Sequence, residues 1–158
     1  MHENKIETHP FEPFIPPGTK YLIIGSFPGK VQTKVDMRSN AWFYGAKRNT
    51  FWKILEAVYS VSLEDKKSKQ QLFINTEMGI ADVILKAIRK NNTNSDTNLA
   101  IIELNDIAIK KVLESSSIIT IFFTSKFVEQ LFKKLFSHIL NTIVLPSPSP
   151  RFARMTLQ

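Results

Sequence analysis

The sequence predicts an α/β fold with parallel strands, and three observations carry this prediction. Short apolar segments alternate along the chain with segments in which apolar residues recur every three or four positions, as in amphipathic helices. Residues 118–123 are apolar almost throughout, which is typical of a strand covered on both faces. No internal repeat interrupts the alternation. Strands that alternate with helices pair in parallel through right-handed crossovers.

The amino-terminal residues 1–19 are expected to form a Pro-rich arm. Four prolines between residues 9 and 18 exclude a helix or a central strand in that segment. We expect Phe11, Phe14 and Ile15 to pack the arm against the rest of the protein, without a functional role.

The remaining elements follow from the apolar pattern and from capping residues. The predicted strands cover residues 20–24, 80–85, 99–104, 118–123 and 142–145, and Asp82 interrupts the second of them. The predicted helices cover residues 50–61, 62–78, 106–114 and 126–137. Gly79 is expected to cap the second helix. The expected buried face of the first helix consists of Phe51, Ile54, Leu55 and Val58. That of the third helix consists of Ile107, Ile109, Val112 and Leu113.

Composition excludes several classes of site. The chain has 158 residues, which favours one domain, and no cysteine, which excludes disulfides, thiolate zinc sites and iron–sulfur clusters. The three histidines, His2, His9 and His138, are scattered, so we expect no metal site. No apolar run approaches the length of a membrane span, and the first residues lack the apolar core of a signal peptide. We therefore expect a cytoplasmic protein.

The stretch 25–52 is the candidate functional region. The formal net charge is +7, which suits a partner with many phosphates, although solvated lysines would give the same total. In this stretch a strand ends in the turn Ser26–Gly29, a basic aromatic loop follows, and a helix begins near Asn49. Ligands of such sheets bind outside the carboxyl ends of the strands. The basic residues in and beside this loop are Lys30, Lys34, Arg38, Lys47, Arg48 and Lys53.

Three motifs give the chain a resemblance to a known family. They are GSFPG at residues 25–29, FYGAKRNTFW at 43–52 and LPSPSP at 145–150. In this order and spacing they resemble the uracil-DNA glycosylase superfamily, and most of all its branch that acts on hypoxanthine or deoxyinosine in DNA. The resemblance covers residues 20–154. The second motif, with its Arg-Asn-x-Phe-Trp ending, is the most specific.

The resemblance implies a fold and a domain plan. The fold is a three-layer α/β/α sandwich with a four-stranded, mostly parallel central sheet. Residues 20–158 would form one glycosylase-like domain behind the arm at 1–19. The family has a further helix after the position of Leu157, so we expect this domain to lack that C-terminal helix or the chain to be shortened.

The resemblance also implies an activity, hydrolysis of the N-glycosidic bond of a deaminated base in DNA, with hypoxanthine ahead of uracil and xanthine. The base must leave the helix first, because the sugar carbon is unreachable in a stacked duplex. We expect a monomer that needs no cofactor and acts on double- or single-stranded DNA without a membrane partner. Two alternatives stay open: a non-catalytic nucleic-acid-binding protein that kept the glycosylase fold, and a mononucleotide-binding α/β protein.

The resemblance assigns roles to particular residues. Tyr44 aligns with the aromatic residue that stacks on the flipped base, and Asn49 with an amide that matters for activity. Uracil enzymes place an Asn or Asp where this chain has Phe27, which can neither hold nor polarise water. The backbone amides of Ser26, Phe27 and Gly29 are candidates for stabilising the negative charge on the departing base. Gly25, Pro28 and Ser147 are expected to surround the base. Asn49 also precedes a helix, and Asn is a preferred helix cap.

Basic and hydroxyl side chains are the candidates for DNA contacts. Closely spaced prolines at 146–150 stiffen the last motif and remove amide donors, so hydroxyls and a guanidinium would supply the phosphate contacts. Any single lysine could equally be a solvated surface charge. The candidates are Lys47, Arg48, Lys126, Ser147, Ser149, Arg151 and Arg154.

Overall fold

The structure is a computed structural model that describes residues 5–30, 41–46, 49–91, 95–137, 139 and 141–146. Seven strands and four α-helices lie within these residues. The strands are β1 (Ile6–Thr8), β2 (Tyr21–Gly25), β3 (Met78–Asp82), β4 (Ile84–Arg89), β5 (Leu99–Leu104), β6 (Thr120–Phe123) and β7 (Thr142–Val144). The helices are α1 (Phe51–Tyr59), α2 (Lys66–Asn75), α3 (Asp106–Ser115) and α4 (Lys126–Leu135).

A parallel sheet with the strand order β3-β2-β6-β7 forms the middle layer. Successive side chains of a strand point to opposite faces. On one face Leu22, Ile24 and Phe123 pack with buried residues of α3 and α4. On the other face Ile23 and Ile80 pack with buried residues of α1 and α2. The predicted α/β fold with a four-stranded parallel sheet is thereby confirmed.

A second, antiparallel sheet with the order β1-β4-β5 was not anticipated from the sequence. The predicted strand at 80–85 is in fact two strands, which belong to different sheets and are separated at the fully buried Val83. The backbone N–H of Asn105 donates to the Val83 carbonyl over 2.7 Å, and its side-chain amide donates to the Asp82 carbonyl over 2.9 Å. Asn105 thus fixes the bend between the two sheets.

The predicted helix at 62–78 was wrong at both ends. The helix α2 begins at Lys66, where Asp65 and Ser68 form a reciprocal capping box. It ends at Asn75, and the chain turns through Glu77, whose φ is 59°. Gly79, predicted as a helix cap, lies inside β3, where a Cβ atom would come within 2.9 Å of Ile15. Glycine at this position allows the amino-terminal segment to pack closely on β3.

The amino-terminal segment is tied into the fold by main-chain hydrogen bonds. The strand β1 pairs antiparallel with β4, and the N–H of His9 donates to the Leu85 carbonyl over 2.8 Å. Phe14 and Ile80 exchange two backbone hydrogen bonds of 2.9 and 3.0 Å. Phe11 and Phe14 pack on the core beneath α1 and α2. These bonds place His9 beside the carboxyl end of β2.

The inner face of α1 differs from the prediction. Ile54 and Val58, predicted to be buried, are 51% and 67% exposed, whereas Phe51 is buried as predicted and Trp52 is buried beside it. The Trp52 indole donates to the Phe43 carbonyl over 2.7 Å, and this aromatic anchor sets the rotation of the short helix. Ile107 of α3 is likewise 78% exposed, while Ile109 is fully buried as predicted. None of the described helices combines the length and apolar character that a membrane span requires.

Candidate active site at the carboxyl edge of the sheet

The turn that follows β2 is held by its carbonyl groups. The Gly25 and Ser26 carbonyls accept hydrogen bonds of 2.8 and 3.1 Å from the N–H groups of Val83 and Ile84. The Arg89 guanidinium donates to the Pro28 carbonyl over 3.1 Å and pairs with Glu7 over 3.0 Å. These bonds fix the turn against both sheets.

The backbone N–H groups of the same turn have no such partners. Those of Ser26, Phe27 and Gly29 donate no hydrogen bond to any part of the chain that the structure describes. A polar backbone group away from water normally has a partner. Three free donors therefore sit at the carboxyl end of the strand, where α/β proteins bind ligands.

Tyr44 packs against this turn in a constrained conformation. Its φ is 56°, in the left-handed region that few non-glycine residues adopt. Its ring lies on Phe51, with centroids 4.3 Å apart, and its hydroxyl contacts Gly25. A Cβ atom on Gly25 would come within 2.5 Å of Asp82 Oδ1 and still closer to the Tyr44 hydroxyl. The two oxygens thus border one small space that only a glycine leaves open.

A buried hydrogen-bonded pair lies behind Gly25. Asp82 Oδ2 accepts from His9 Nε2 over 2.7 Å, and both side chains are almost fully buried. His9 Nδ1 accepts the N–H of Phe11 over 3.0 Å, so the ring proton is on Nε2 and the ring is neutral. Asp82 is therefore a buried carboxylate with one neutral donor. Its Oδ1 atom and the Tyr44 hydroxyl have no hydrogen-bond partner among the described residues.

The surroundings of Tyr44 keep its phenol neutral. Burial raises the pKa of Tyr44 well above its ordinary value, and the nearby carboxylate of Asp82 adds to this effect. The Thr124 hydroxyl lies close enough to oppose the rise, although no hydrogen bond of good geometry joins the two groups. Tyr44 can thus offer a ring face and a neutral hydroxyl, but it cannot act as a base.

Asn49 is oriented by the start of α1. Its Oδ1 atom accepts the N–H of Phe51 over 2.9 Å, which also decides which side-chain atom is oxygen and which is nitrogen. Thr50 occupies the cap position itself and makes no side-chain cap bond. The Nδ2 group of Asn49 donates to no residue in the described ranges. Asn49 is thus both a local cap and a half-buried group with two free N–H donors.

Asp96 reaches the same turn from the short helical turn at Asp96–Asn98. Its Oδ1 atom accepts the Ser26 hydroxyl over 2.8 Å, across 70 positions of sequence. Burial raises the pKa of Asp96, and the nearby Asp82 carboxylate acts in the same direction. The hydrogen bond from Ser26 and the charge of Arg89 oppose this rise without cancelling it.

Lys126 lies at the same edge of the sheet. It is the first residue of α4, which follows β6 directly, and the cap Ser125 accepts the N–H of Val128 over 3.2 Å. Lys126 is exposed and forms no ion pair within the described residues. The strand β7 also ends at this edge, since it is parallel to β6. An exposed cation therefore lies at the same edge of the sheet as the turn at Ser26–Gly29.

Another concavity lies at the opposite edge of the sheet. It has a volume of about 590 Å³ and is lined by the segments that precede β2 and β6 and by the end of α3. It is open and contains none of the residues described above. No three histidine or carboxylate side chains of the described residues gather to hold a metal ion.

The family of the chain follows from comparison with known proteins. Residues 12–157 match the family model described as the uracil DNA glycosylase superfamily. The chain belongs to the uracil DNA glycosylase superfamily. It is 28% identical over 103 residues to a hypoxanthine DNA glycosylase of Methanosarcina barkeri (strain Fusaro / DSM 804). That match covers 64% of this chain and 61% of the relative, so it spans less than two thirds of the relative's length.

A solved structure shows the same fold. It is the solution NMR structure of a protein from Methanosarcina acetivorans that is provisionally assigned as a uracil DNA glycosylase. Its TM-score with this chain is 0.74 at 22% identity, and the superposition covers 96% of this chain and 90% of the other. The predicted resemblance to the superfamily and the predicted sandwich are confirmed by these comparisons.

The superfamily motifs are brought together only in part by the described residues. Gly25 contacts Tyr44, Tyr44 packs on Phe51, and Phe51 is hydrogen-bonded to Asn49, so the first two motifs form one site. Six predicted site residues lie outside the described ranges: Lys47, Arg48, Ser147, Ser149, Arg151 and Arg154. Their roles stay predictions.

Sequence reasoning missed three residues of this site, His9, Asp82 and Asp96. The arm was expected to pack without a function, yet His9 is the hydrogen-bond partner of Asp82. One signal was available, because a lone aspartate within an apolar strand needs a buried partner. No sequence pattern indicated a role for Asp96, because it lies in a polar stretch that is typical of a loop.

Proposed function

We propose that the protein is a monofunctional DNA glycosylase that hydrolyses the N-glycosidic bond of a flipped, deaminated base. Hypoxanthine is the favoured base, ahead of uracil and xanthine, and no cofactor takes part. The observation that carries the proposal is the set of unpaired donors at one edge of the sheet. It consists of the N–H groups of Ser26, Phe27 and Gly29 and the Nδ2 group of Asn49.

The donors suit a base that departs with negative charge. As the bond between the sugar and the base breaks, its electron pair moves to the base. Backbone and amide N–H groups already held in place stabilise such charge without reorganisation. The turn at Ser26–Gly29 meets this requirement because the Ser26 and Pro28 carbonyls are bonded elsewhere and hold the turn in place.

The preference for hypoxanthine rests on two further points. The donors alone would serve any base with carbonyl or ring-nitrogen acceptors, as purines and pyrimidines both have. One relative of this chain is named a hypoxanthine DNA glycosylase. In addition, Phe27 stands where uracil enzymes carry a polar side chain, and it packs its edge on His9, with ring centroids 5.8 Å apart.

Tyr44 and the basic residues complete the proposed DNA site. The Tyr44 ring would stack on the flipped base, since any base offers a π-face. Gly25, Pro28 and Ser147 would surround that base. Lys126 would contact a backbone phosphate at the same edge, in keeping with the net charge of +7. The further phosphate contacts proposed are Lys47, Arg48, Ser149, Arg151 and Arg154.

The test is base excision from defined oligonucleotides. Single- and double-stranded oligonucleotides with one inosine, uracil or xanthine are incubated with the protein, treated with alkali and examined for strand scission. We expect scission at inosine first, and no scission of the matched undamaged strand. Because a monofunctional enzyme leaves an intact abasic strand, scission should require the alkali. Salt-dependent duplex binding without released base would instead support a non-catalytic binding protein.

A further inference from the structure

The groups directed at the base are all hydrogen-bond donors, whereas hydrolysis also needs an acceptor for a water proton. Phe27 cannot supply one. The Asn49 carbonyl oxygen already accepts the N–H of Phe51. Tyr44 is held neutral by its burial. The acceptor must therefore come from another part of the chain.

Among the residues that the structure describes, Asp96 is the carboxylate at this turn that remains available. Its Oδ1 atom is oriented by the Ser26 hydroxyl, 2.8 Å away. Its Oδ2 atom has no hydrogen bond to any residue of the described ranges, and the Asp96 side chain is only partly buried. Asp82, by contrast, is almost fully buried and bonded to His9. Asp96 thus has one oxygen fixed by Ser26 and a second oxygen without a partner in the described ranges.

We propose that Asp96 is the catalytic base of this glycosylase and that Ser26 is its positioning residue. The inference rests on the proposed function. A water molecule held by Asp96 Oδ2 attacks the sugar C1′ atom and forms a C–O bond. The bond from C1′ to the base nitrogen breaks, and its electron pair leaves with the base. The water proton passes to the Asp96 carboxylate, and the departing anion is stabilised by the N–H donors and takes its proton from solvent.

The groups around Asp96 suit this role. The carboxylate of Asp82 raises the pKa of Asp96, and the guanidinium of Arg89 lowers it. The neutral phenol of Tyr44 lies near both aspartates. Burial and Asp82 together raise the pKa of Asp96, which makes its carboxylate a better proton acceptor than an exposed one. The hydrogen bond from the Ser26 hydroxyl lowers the pKa of Asp96 and so limits this rise.

The first experiment compares D96N with wild type in single-turnover excision of inosine as a function of pH. We expect the D96N rate to fall by about a hundredfold or more, in keeping with the usual contribution of a general base. We also expect the acidic limb of the wild-type pH profile to disappear in D96N. The matched control is D106N, which removes an exposed aspartate at the start of α3. D106N should keep the wild-type excision rate and the acidic limb of the pH profile.

The second experiment uses S26A, which keeps the carboxylate and the backbone N–H but removes the hydroxyl that stabilises the charged form. The acidic limb should move to higher pH in S26A, while the rate on the plateau changes less than in D96N. A purely structural role for the Ser26–Asp96 bond would lower the amount of folded protein without moving the limb. Circular dichroism melts of all variants separate these effects.

The outcomes discriminate between this inference and the proposed function. If wild type releases no base, both fail. If wild type releases base and D96N keeps its rate, or keeps the same acidic limb as wild type, Asp96 is not the base and the proposed function stands. Loss of an alkaline limb in D96N would also overturn the inference, because Asp96 would then give a proton to the departing base. An unmoved limb in S26A overturns the positioning role.

Discussion

The Tyr44 hydroxyl and the Oδ1 atom of Asp82 border the same small space beside Gly25, and neither has a hydrogen-bond partner among the described residues. Gly25 belongs to the first superfamily motif and Tyr44 to the second, so the two motifs meet at this space, and Asp82 reaches it from the end of β3. Gly25 is thus needed for its lack of a Cβ atom. The site depends on this close approach, because Tyr44 carries the ring proposed to stack on the base.

The first prediction concerns G25A. The added methyl group would collide with the Tyr44 hydroxyl and with Asp82, so we expect a loss of about 1–3 kcal/mol in the free energy of unfolding and a displaced Tyr44. Urea unfolding measures the first effect, and excision per folded molecule the second. G79A is the matched control, since it crowds Ile15 at the other end of the sheet. It should lose stability and keep its activity per folded molecule.

The second prediction separates the ring of Tyr44 from its hydroxyl. Y44F removes a buried hydroxyl without a partner, so we expect stability to be unchanged or to rise by up to about 1 kcal/mol, with activity retained. Y44A removes the ring and should weaken capture of the flipped base by about 1–3 kcal/mol. Excision from a paired lesion measures both. A Y44F variant as inactive as Y44A would show that the hydroxyl is essential, against the stacking role.

The third prediction distinguishes the two halves of the Asn49 side chain. N49D keeps an oxygen that can accept the N–H of Phe51, and its charge suits the start of a helix, but it lacks the Nδ2 donor. We expect N49D to fold as well as wild type, and we expect both N49D and N49A to lose tenfold or more in turnover. Duplex affinity should stay near wild type in both. Full activity in N49D would contradict the proposed donor role.

The fourth prediction concerns the DNA-binding edge. K126A should reduce the salt dependence of duplex binding by about one unit on a double-logarithmic plot, because one phosphate contact is lost. The matched control is K134A in the last turn of the same helix, which points to the opposite edge of the sheet. Its slope should equal that of wild type. Equal slopes for both variants would exclude Lys126 from the interface.

The fifth prediction follows from the raised pKa of Asp96. A carboxyl whose pKa is higher in the folded than in the unfolded state contributes stability that is full below its ordinary pKa of about 3.9 and is lost as the pH rises through the folded value. D96N cannot ionise and should escape this loss. We expect D96N to be more stable than wild type at neutral pH and equal to it below pH 4. Chemical unfolding at several pH values tests this, and a less stable D96N at neutral pH would contradict it.

Local patterns predicted the middle layer of the fold well, because each strand of the parallel sheet is a short apolar segment with its own boundaries. Residues 118–123 and the turn after Gly25 are examples. The break at Val83 was not predictable, since β3 and β4 form one continuous apolar run and only their partners differ. The rotation of α1 was misjudged because two faces of the helix are apolar, and the bond from Trp52 to Phe43 selects between them.

The residues of the candidate site that lie in sequence motifs were predictable. Those that enter the site through hydrogen bonds between distant parts of the chain were not. Gly25, Tyr44 and Asn49 lie in motifs whose residues, order and spacing indicated the superfamily. The pairs His9–Asp82 and Ser26–Asp96 join residues 73 and 70 positions apart. Nothing in the local sequence of either pair specifies its partner, because such a bond exists only once the two sheets have come together.

The position of His9 has a practical consequence for work on this protein. The segment Ile6–His9 closes the small sheet and supplies the donor to Asp82 behind Gly25. Affinity tags are usually fused to the amino end of a recombinant protein, and protease trimming usually starts there. Either manipulation would here act on a segment that packs behind the candidate site, so a trimmed variant should keep the residues from Ile6 to His9.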